Sequence, residues 1–356
     1  MALPDARTYF ALALDPIHVG TGGYRLGRVD MTIVREPGTN LPKIPGTSLS
    51  GVTRACAAIA TNRYRWTDGS GKERSCAGQG QGDGGHCGEP QCPVCVTFGF
   101  AKGQSGFQGL AQFSDARILF FPVYSMLGPV WVTSPAVLRE HGVSVDEPED
   151  KNKVRVAGGI NGGSQSVPNR VNLGWLMLDV EGSVSLPQDK LQGVPDGVKQ
   201  RVVLVSDKLF SHIVNDNLEV RTSVSIDPAT GAADDGALFT YEALPRATVL
   251  WFSVAYKDPG LYRVPVEERT QNGRSNSDSE APRRQLVKPD PREWNDDGPT
   301  EMTLTLVETV ESGLKYLEHL GVGGMNTRGM GRLKVYGLPE VESRSSQPQE
   351  KAEAQR

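Results

Sequence analysis

The sequence predicts an α+β protein on a split βαβ, ferredoxin-like plan with large excursions. Three observations carry this. Strand-plus-helix patterns stand at both ends of the 356-residue chain, a polar cysteine-bearing stretch interrupts the first half, and a long two-armed hairpin pattern interrupts the second. A hydrophobic share of 38% allows a sizeable core, while 41 glycines and 24 prolines require much loop. The net charge of −4 excludes a global basic field, so any nucleic-acid site has to be a local basic patch. The opening "MALPDARTYFALALDP" lacks a basic start and a small-residue cleavage site, and no apolar run is long enough to span a bilayer. A soluble, cytoplasmic protein with no membrane partner is expected.

In chain order, "TYFALALDPIHVG" reads as a strand broken at Pro16. A glycine-rich loop and a second extended piece follow, stopped by Pro42 and Pro45. Gly46-Thr47-Ser48 then starts a helix on which Leu49, Val52, Ala55, Cys56 and Ile59 recur at helical steps. Residues 66–100 read as a cysteine-rich insertion. "LAQFSDARILFFPVYS" gives buried strands with a turn at Ser114-Asp115, and "WVTSPAVLREHG" a proline-started helix. From Arg201 to Tyr256 the chain reads as extended, with "EVRTSVSIDPATGAADDGALFTYEALP" as two alternating arms around a turn cluster. Residues 263–300 are charged and Ser/Pro/Asn-rich, expected as a mobile loop. "EMTLTLVETVESGLKYLEHLG" reads as an amphipathic helix, "VGGMNTRGMGRLKVYG" as a glycine turn into a last strand, and 341–356 as a disordered tail.

Three constellations carry chemistry. Cys76-x10-Cys87-x4-Cys92-x2-Cys95 supplies four soft ligands with a tight Cys-x-x-Cys clamp, which suits structural Zn²⁺; His86 competes with Cys87 for one position. The loop around it has no apolar residues to bury, so a metal would have to order it. The turns "GTSLSGVTRA" and "GGMNTRGMGR" expose backbone amides beside arginines, a pattern that binds phosphate and also makes ordinary caps and tight turns. Thr47, Ser48, Ser50 and Arg54 belong to the first, and Gly323, Gly324, Asn326, Thr327, Arg328 and Arg332 to the second. His18 and Asp30 flank a loop carrying Arg25 and Arg28, a pairing that serves either phosphodiester chemistry or a structural turn.

Taken together, "IPGTSLSGVTRA", "CPVCVTFG", "SDARILFFPVYSMLGPVWVTSP", "GALFTYEALP" and "GGMNTRGMGRL" resemble the RAMP superfamily, and more narrowly the repeated backbone subunit of type III-B (Cmr) CRISPR effectors. The resemblance implies an RRM-like, modified ferredoxin fold that stacks as a filament along a crRNA, beside the other subunits of the effector. A hairpin thumb, placed at 201–247, crosses the guide–target duplex, and target RNA is cut there in a step that uses Mg²⁺ or another divalent metal. It matches Asp30 to the catalytic aspartate, His18 to a histidine near the cut, and Tyr241 and Glu242 to thumb residues that assist cleavage. Ser50 stands where the family usually has lysine, and the cysteine insertion is similar to relatives in other type III systems, so a Csm-like subunit stays open. Three other readings are a backbone subunit that binds crRNA without cutting, a single-subunit processing ribonuclease using His18, and a zinc-stabilised assembly protein.

Overall fold

Four strands, each antiparallel to its neighbours, form the centre of the sheet: β1 (Asp5–Ala13), β2 (Ala116–Val123), β3 (Val249–Tyr256) and β4 (Leu333–Tyr336). They are seen in a computed structural model that describes residues 5–22, 29–68, 71–78, 85–102, 105–160, 168–233, 238–267, 284–295 and 298–339. Helix α1 (Gly46–Ala60) lies between β1 and β2 in the chain, and α2 (Leu306–Lys315) between β3 and β4. The order across the sheet is β2-β3-β1-β4, with Asp5 opposite Tyr256 and Ala13 opposite Leu333. The sheet runs on past β2 through Val130–Thr133, Val202–Leu204, Lys153–Ala157, Leu176–Val184 and Arg170–Leu173.

The apolar pattern explains these placements. Ile118, Leu119, Phe120 and Phe121 are all buried in succession, as a strand covered on both faces requires. On α1, Gly46, Leu49, Thr53, Cys56 and Ala57 form one buried stripe. On α2, Leu306, Val310 and Leu314 do the same, behind a Thr305–Glu308 capping box. The two helices meet at Gly313, where an added Cβ would stand 2.3 Å from the Thr53 carbonyl oxygen. Gly313→Ala is therefore expected to force the helices apart and cost about 1–3 kcal/mol in urea unfolding. A variant as stable as the parent would show that this contact relaxes freely.

Several expectations need correction. Residues 201–256 are not uniformly extended: Val202–Leu204 belongs to the main sheet, and Asp207–Asp216 is a helix buried through Phe210, Ile213 and Val214. The hairpin proper pairs Glu219–Ser223 with Phe239–Ala243 and continues to an Ile226–Ala233 bridge. The 263–300 stretch contains strands: Val264–Glu267 pairs with Arg284–Val287, and Arg292–Asn295 with Gly298–Thr303. Glu301–Thr303, expected as the start of the C-terminal helix, belongs to that last strand. Arg25, Arg28, much of the 263–300 loop and the tail 341–356 lie outside the described residues.

Candidate RNA-cleavage and binding site

The return arm of the hairpin holds the two candidate catalytic residues of the N-terminal loop. The Thr240 amide and hydroxyl both donate to Asp30 Oδ2, at 2.7 and 2.9 Å, and the Asp30 amide donates to Thr240 Oγ1 at 3.1 Å. These donors, the backbone one first, hold the Asp30 carboxyl below its ordinary range, so it is ionised at neutral pH while still partly exposed. One step along, Met31 bridges to Tyr241 in parallel, with backbone bonds to Thr240 and Glu242. Nothing local in the sequence announces that pairing.

His18 is fixed from the same arm. Its Nδ1 lies 2.6 Å from the Glu242 carbonyl oxygen, which can only accept. Nδ1 therefore carries a proton and donates this bond, which leaves Nε2 as the ring nitrogen available to another partner. The ring meets Tyr241 edge-on, with centroids 5.9 Å apart, and is buried. Tyr241 is itself buried in a small cluster with Ala243 and Met330. The Glu242 carboxylate pairs with Arg35 at 2.9 Å and faces the Ile33 amide at 3.4 Å. The structure thus brings all four expected residues together but encloses Tyr241 and Glu242, whose side chains brace the arm instead of facing solvent.

The C-terminal glycine turn closes over the same loop. Gly324 donates its amide to the His18 carbonyl at 2.9 Å. At Gly323, with φ +85°, a Cβ would lie 2.3 Å from that oxygen, so only glycine lets the turn come so close. Gly323, Gly324, Asn326, Thr327 and Arg328 are exposed, and Arg328 makes no ion pair among the described residues. Asn326 is fastened through its side-chain amide to the Leu320 carbonyl, and Arg332 through its guanidinium to Asp15, so neither is a free ligand.

At the other expected phosphate site, the chain supplies its own anion. Asp115 Oδ1 accepts from the Gly46 amide at 2.7 Å, while Oδ2 meets Lys43 Nζ at 2.6 Å. Thr47 remains exposed, and Ser48 and Ser50 partly so. Arg54 departs from expectation: its Nε donates to the Cys76 carbonyl at 2.7 Å and its Nη2 is buried. The cysteine insertion folds back over α1 and takes this side chain inward.

In the insertion, Cys76, Cys87, Cys92 and Cys95 are buried with their sulfurs all within 4.8 Å of one another. Three Sγ–Sγ distances are 3.5, 3.7 and 3.8 Å. A tetrahedral ion with metal–sulfur bonds of about 2.3 Å has sulfur–sulfur edges of about 3.8 Å, so the cage fits such an ion. His86 stays outside it, with Nε2 donating to the Gly78 carbonyl and Nδ1 accepting from the Ala101 amide. The side chain missed by sequence reading is Arg63, only 1% exposed, whose guanidinium lies between the rings of Trp66 and Trp294.

A split antiparallel sheet, with a hairpin docked against the loop after its first strand and a glycine turn closing over that loop, frames the candidate site. The chain belongs to the RAMP superfamily, whose family model matches residues 11–334. It is 27% identical over 256 residues to the CRISPR system Cmr endoribonuclease Cmr4 of Pyrococcus furiosus, covering 67% of this chain and 77% of that protein. In structure it is similar to a chain of the type III-B Cmr-beta complex bound to cognate target RNA, at 13% identity and a TM-score of 0.57, with 94% of this chain and 97% of that one covered. It is also similar to oligomeric Cmr4 from Pyrococcus furiosus, at 18% identity and a TM-score of 0.50, covering 94% of this chain and 98% of that one.

Proposed function

We propose that this chain is the repeated backbone subunit of a type III-B CRISPR effector, holding crRNA by its phosphates and cutting complementary target RNA at regular intervals. One observation carries the reading: the hairpin that would cross the duplex is the element that fixes Asp30 and His18. Val224, Ile226 and Leu238 stand exposed on that hairpin, apolar side chains suited to wedging apart a base step. The likeness to an endoribonuclease and to a complex bound to target RNA supports the same conclusion. The β2-β3-β1-β4 order supports the RRM-like reading of residues 1–340 as one domain with insertions. Copies of the chain would stack along the guide with the other effector subunits in a cytoplasmic complex. No described helix is long and apolar enough to cross a membrane.

Guide binding falls to the exposed Thr47, the partly exposed Ser48 and Ser50, and the glycine turn with Arg328, with sequence reading left to base pairing. Arg328→Ala is expected to weaken guide binding equally for all guide sequences and to lower the salt slope of the affinity by about 1. A filter-binding titration at several salt concentrations measures both. An unchanged slope would remove Arg328 from the phosphate path.

For cleavage, Asp30 is the ionised carboxylate placed to engage the distorted target strand. Magnesium is commonly held by one or two carboxylates together with substrate phosphates, and Asp30 meets the protein's part of that requirement. Such an ion, when bound, stabilises charge developing on the reacting phosphate. His18 is held through Nδ1 with Nε2 free to exchange a proton, and Tyr241 and Glu242 hold the arm in register. In the insertion, the soft tetrathiolate donor set is best satisfied by structural Zn²⁺. The assembled complex given matched RNA and Mg²⁺ should release fragments of regular spacing. RNA left whole would refute the cleaving reading.

A further inference from the structure

We propose that Arg63 is the buried counter-ion of the four-cysteine metal centre, and that through it the centre clamps the 284–295 segment onto the insertion. The proposal rests on the zinc reading of the cage. Four thiolates around a divalent ion leave a net charge of −2, which is costly to bury without a nearby cation. Arg63 supplies that cation. Arg63 lines one cavity with the ligand Cys87, and while burial acts to lower the pKa of its guanidinium, the thiols of Cys92, Cys87 and Cys76 act to raise it. Its Nε and Nη2 are buried and have no hydrogen-bond partner among the described residues.

The position of Arg63 is fixed from both sides. Its amide donates to the Ala58 carbonyl at the end of α1 at 2.7 Å, and its own carbonyl accepts from the amide of the ligand Cys76 at 2.9 Å. The guanidinium carbon lies 3.4 Å from the centre of the Trp66 ring and 3.6 Å from that of Trp294. Both indole faces attract a cation, and most strongly where water is excluded.

Trp294 brings the distant segment with it. Asp290 and Arg292 donate backbone amides to the carbonyls of Pro90 and Gln91, at 2.8 and 2.9 Å, and Trp294 Nε1 donates to Gln91 at 3.4 Å. Pro90 and Gln91 directly precede the ligand Cys92. The segment therefore docks on the metal loop itself, with Pro289 and Pro291 buried and the half-buried indole of Trp294 set against Arg63. If the thiolate charge is lost, the buried guanidinium loses that compensating charge, and its place against the two indoles has to open to water. Metal occupancy should then govern whether 284–295 is held.

The test uses the full-length protein purified with zinc, with metal content, chelator-competition affinity and hydrogen exchange measured together. Stripping zinc from the parent protein should raise exchange across 284–295 about tenfold. Arg63→Gln should weaken zinc binding about tenfold, in the range found when a group supporting a metal ligand is removed, and Arg63→Lys should recover part of it. Trp294→Ala should release 284–295 in the zinc-loaded protein and, because the coupling is reciprocal, weaken zinc binding by at most that same factor of about ten. A parent chain that takes up no zinc overturns the metal reading and this inference with it. Stoichiometric zinc with Arg63→Gln binding as tightly as the parent, or with 284–295 equally protected in stripped protein, overturns this inference alone.

Discussion

Asp30→Ala is expected to lower target-RNA cleavage by roughly 10²- to 10⁴-fold, the span for losing a positioned acid–base or charge-bearing group, while guide and target binding stay near normal. The asymmetry follows from placement. Asp30 is held by Thr240 and stands outside the glycine turn and the helix start, so removing its carboxylate takes away no guide contact. The pH dependence has a defined sign. Because Thr240 lowers the folded pKa of Asp30, its ionised form and its latch to the hairpin are complete above the ordinary aspartate value of about 3.9 and are lost as pH falls through the lower folded value. The acid limb of the cleavage profile should therefore lie below the usual carboxylate range. Single-turnover cleavage across pH, beside a gel-shift assay of binding, checks both. A variant that cuts at the parental rate would remove Asp30 from the chemistry.

The same site marks what local sequence can convey. The end strands, α1, the Ser114-Asp115 turn, the strand Val249–Tyr256 and the cysteine cage rest on patterns within a few dozen residues, and each is found where its pattern places it. Contacts that depend on distant segments left no local trace. Asp115 reaches the Gly46 amide across 69 residues, and the amphipathic pattern of α1 gives no hint that this anion occupies its start. Met31 and Tyr241 form their parallel bridge between stretches that separately read as loop and hairpin.

Two misses did carry a signal. Phe210, Ile213 and Val214 recur at helical steps behind Ser206, enough to mark a short helix inside the region read as extended. Trp294 sits in the charged run "PREWNDD", where little else can be buried, and a tryptophan in such a run points to docking elsewhere. Its partner is Arg63, an arginine buried between two rings, which residue-by-residue propensity places on the surface. Arg54 illustrates the converse. Its position on α1 fits a phosphate ligand, but the insertion, which no helix pattern anticipates, draws it to Cys76.

Cys92→Ser is expected to produce the largest loss of stability, on the order of 5 kcal/mol and a fall of about 10 °C in the melting temperature, together with loss of bound zinc. Cys92 has two tasks. It closes the thiol cage, and its sulfur accepts the Cys95 amide at 3.5 Å, capping the helix Pro93–Phe98. That helix buries Val94 and Val96 in the main core, so disorder at the cage reaches the packing around α1 and α2. Serine keeps the size and a capping oxygen but gives a poor ligand for a soft tetrahedral site, which separates metal loss from cavity formation. Cys56 is the matched control, equally buried but on α1 and outside the cage, its thiol pushed up to about 11 by burial alone. Cys56→Ser should cost only about 1 kcal/mol, the penalty of an added buried hydroxyl, with zinc content unchanged. Thermal melts paired with elemental analysis distinguish the two. If Cys92→Ser melted with the parent, or Cys56→Ser lost as much, the cage would be no more than four thiols sharing a core.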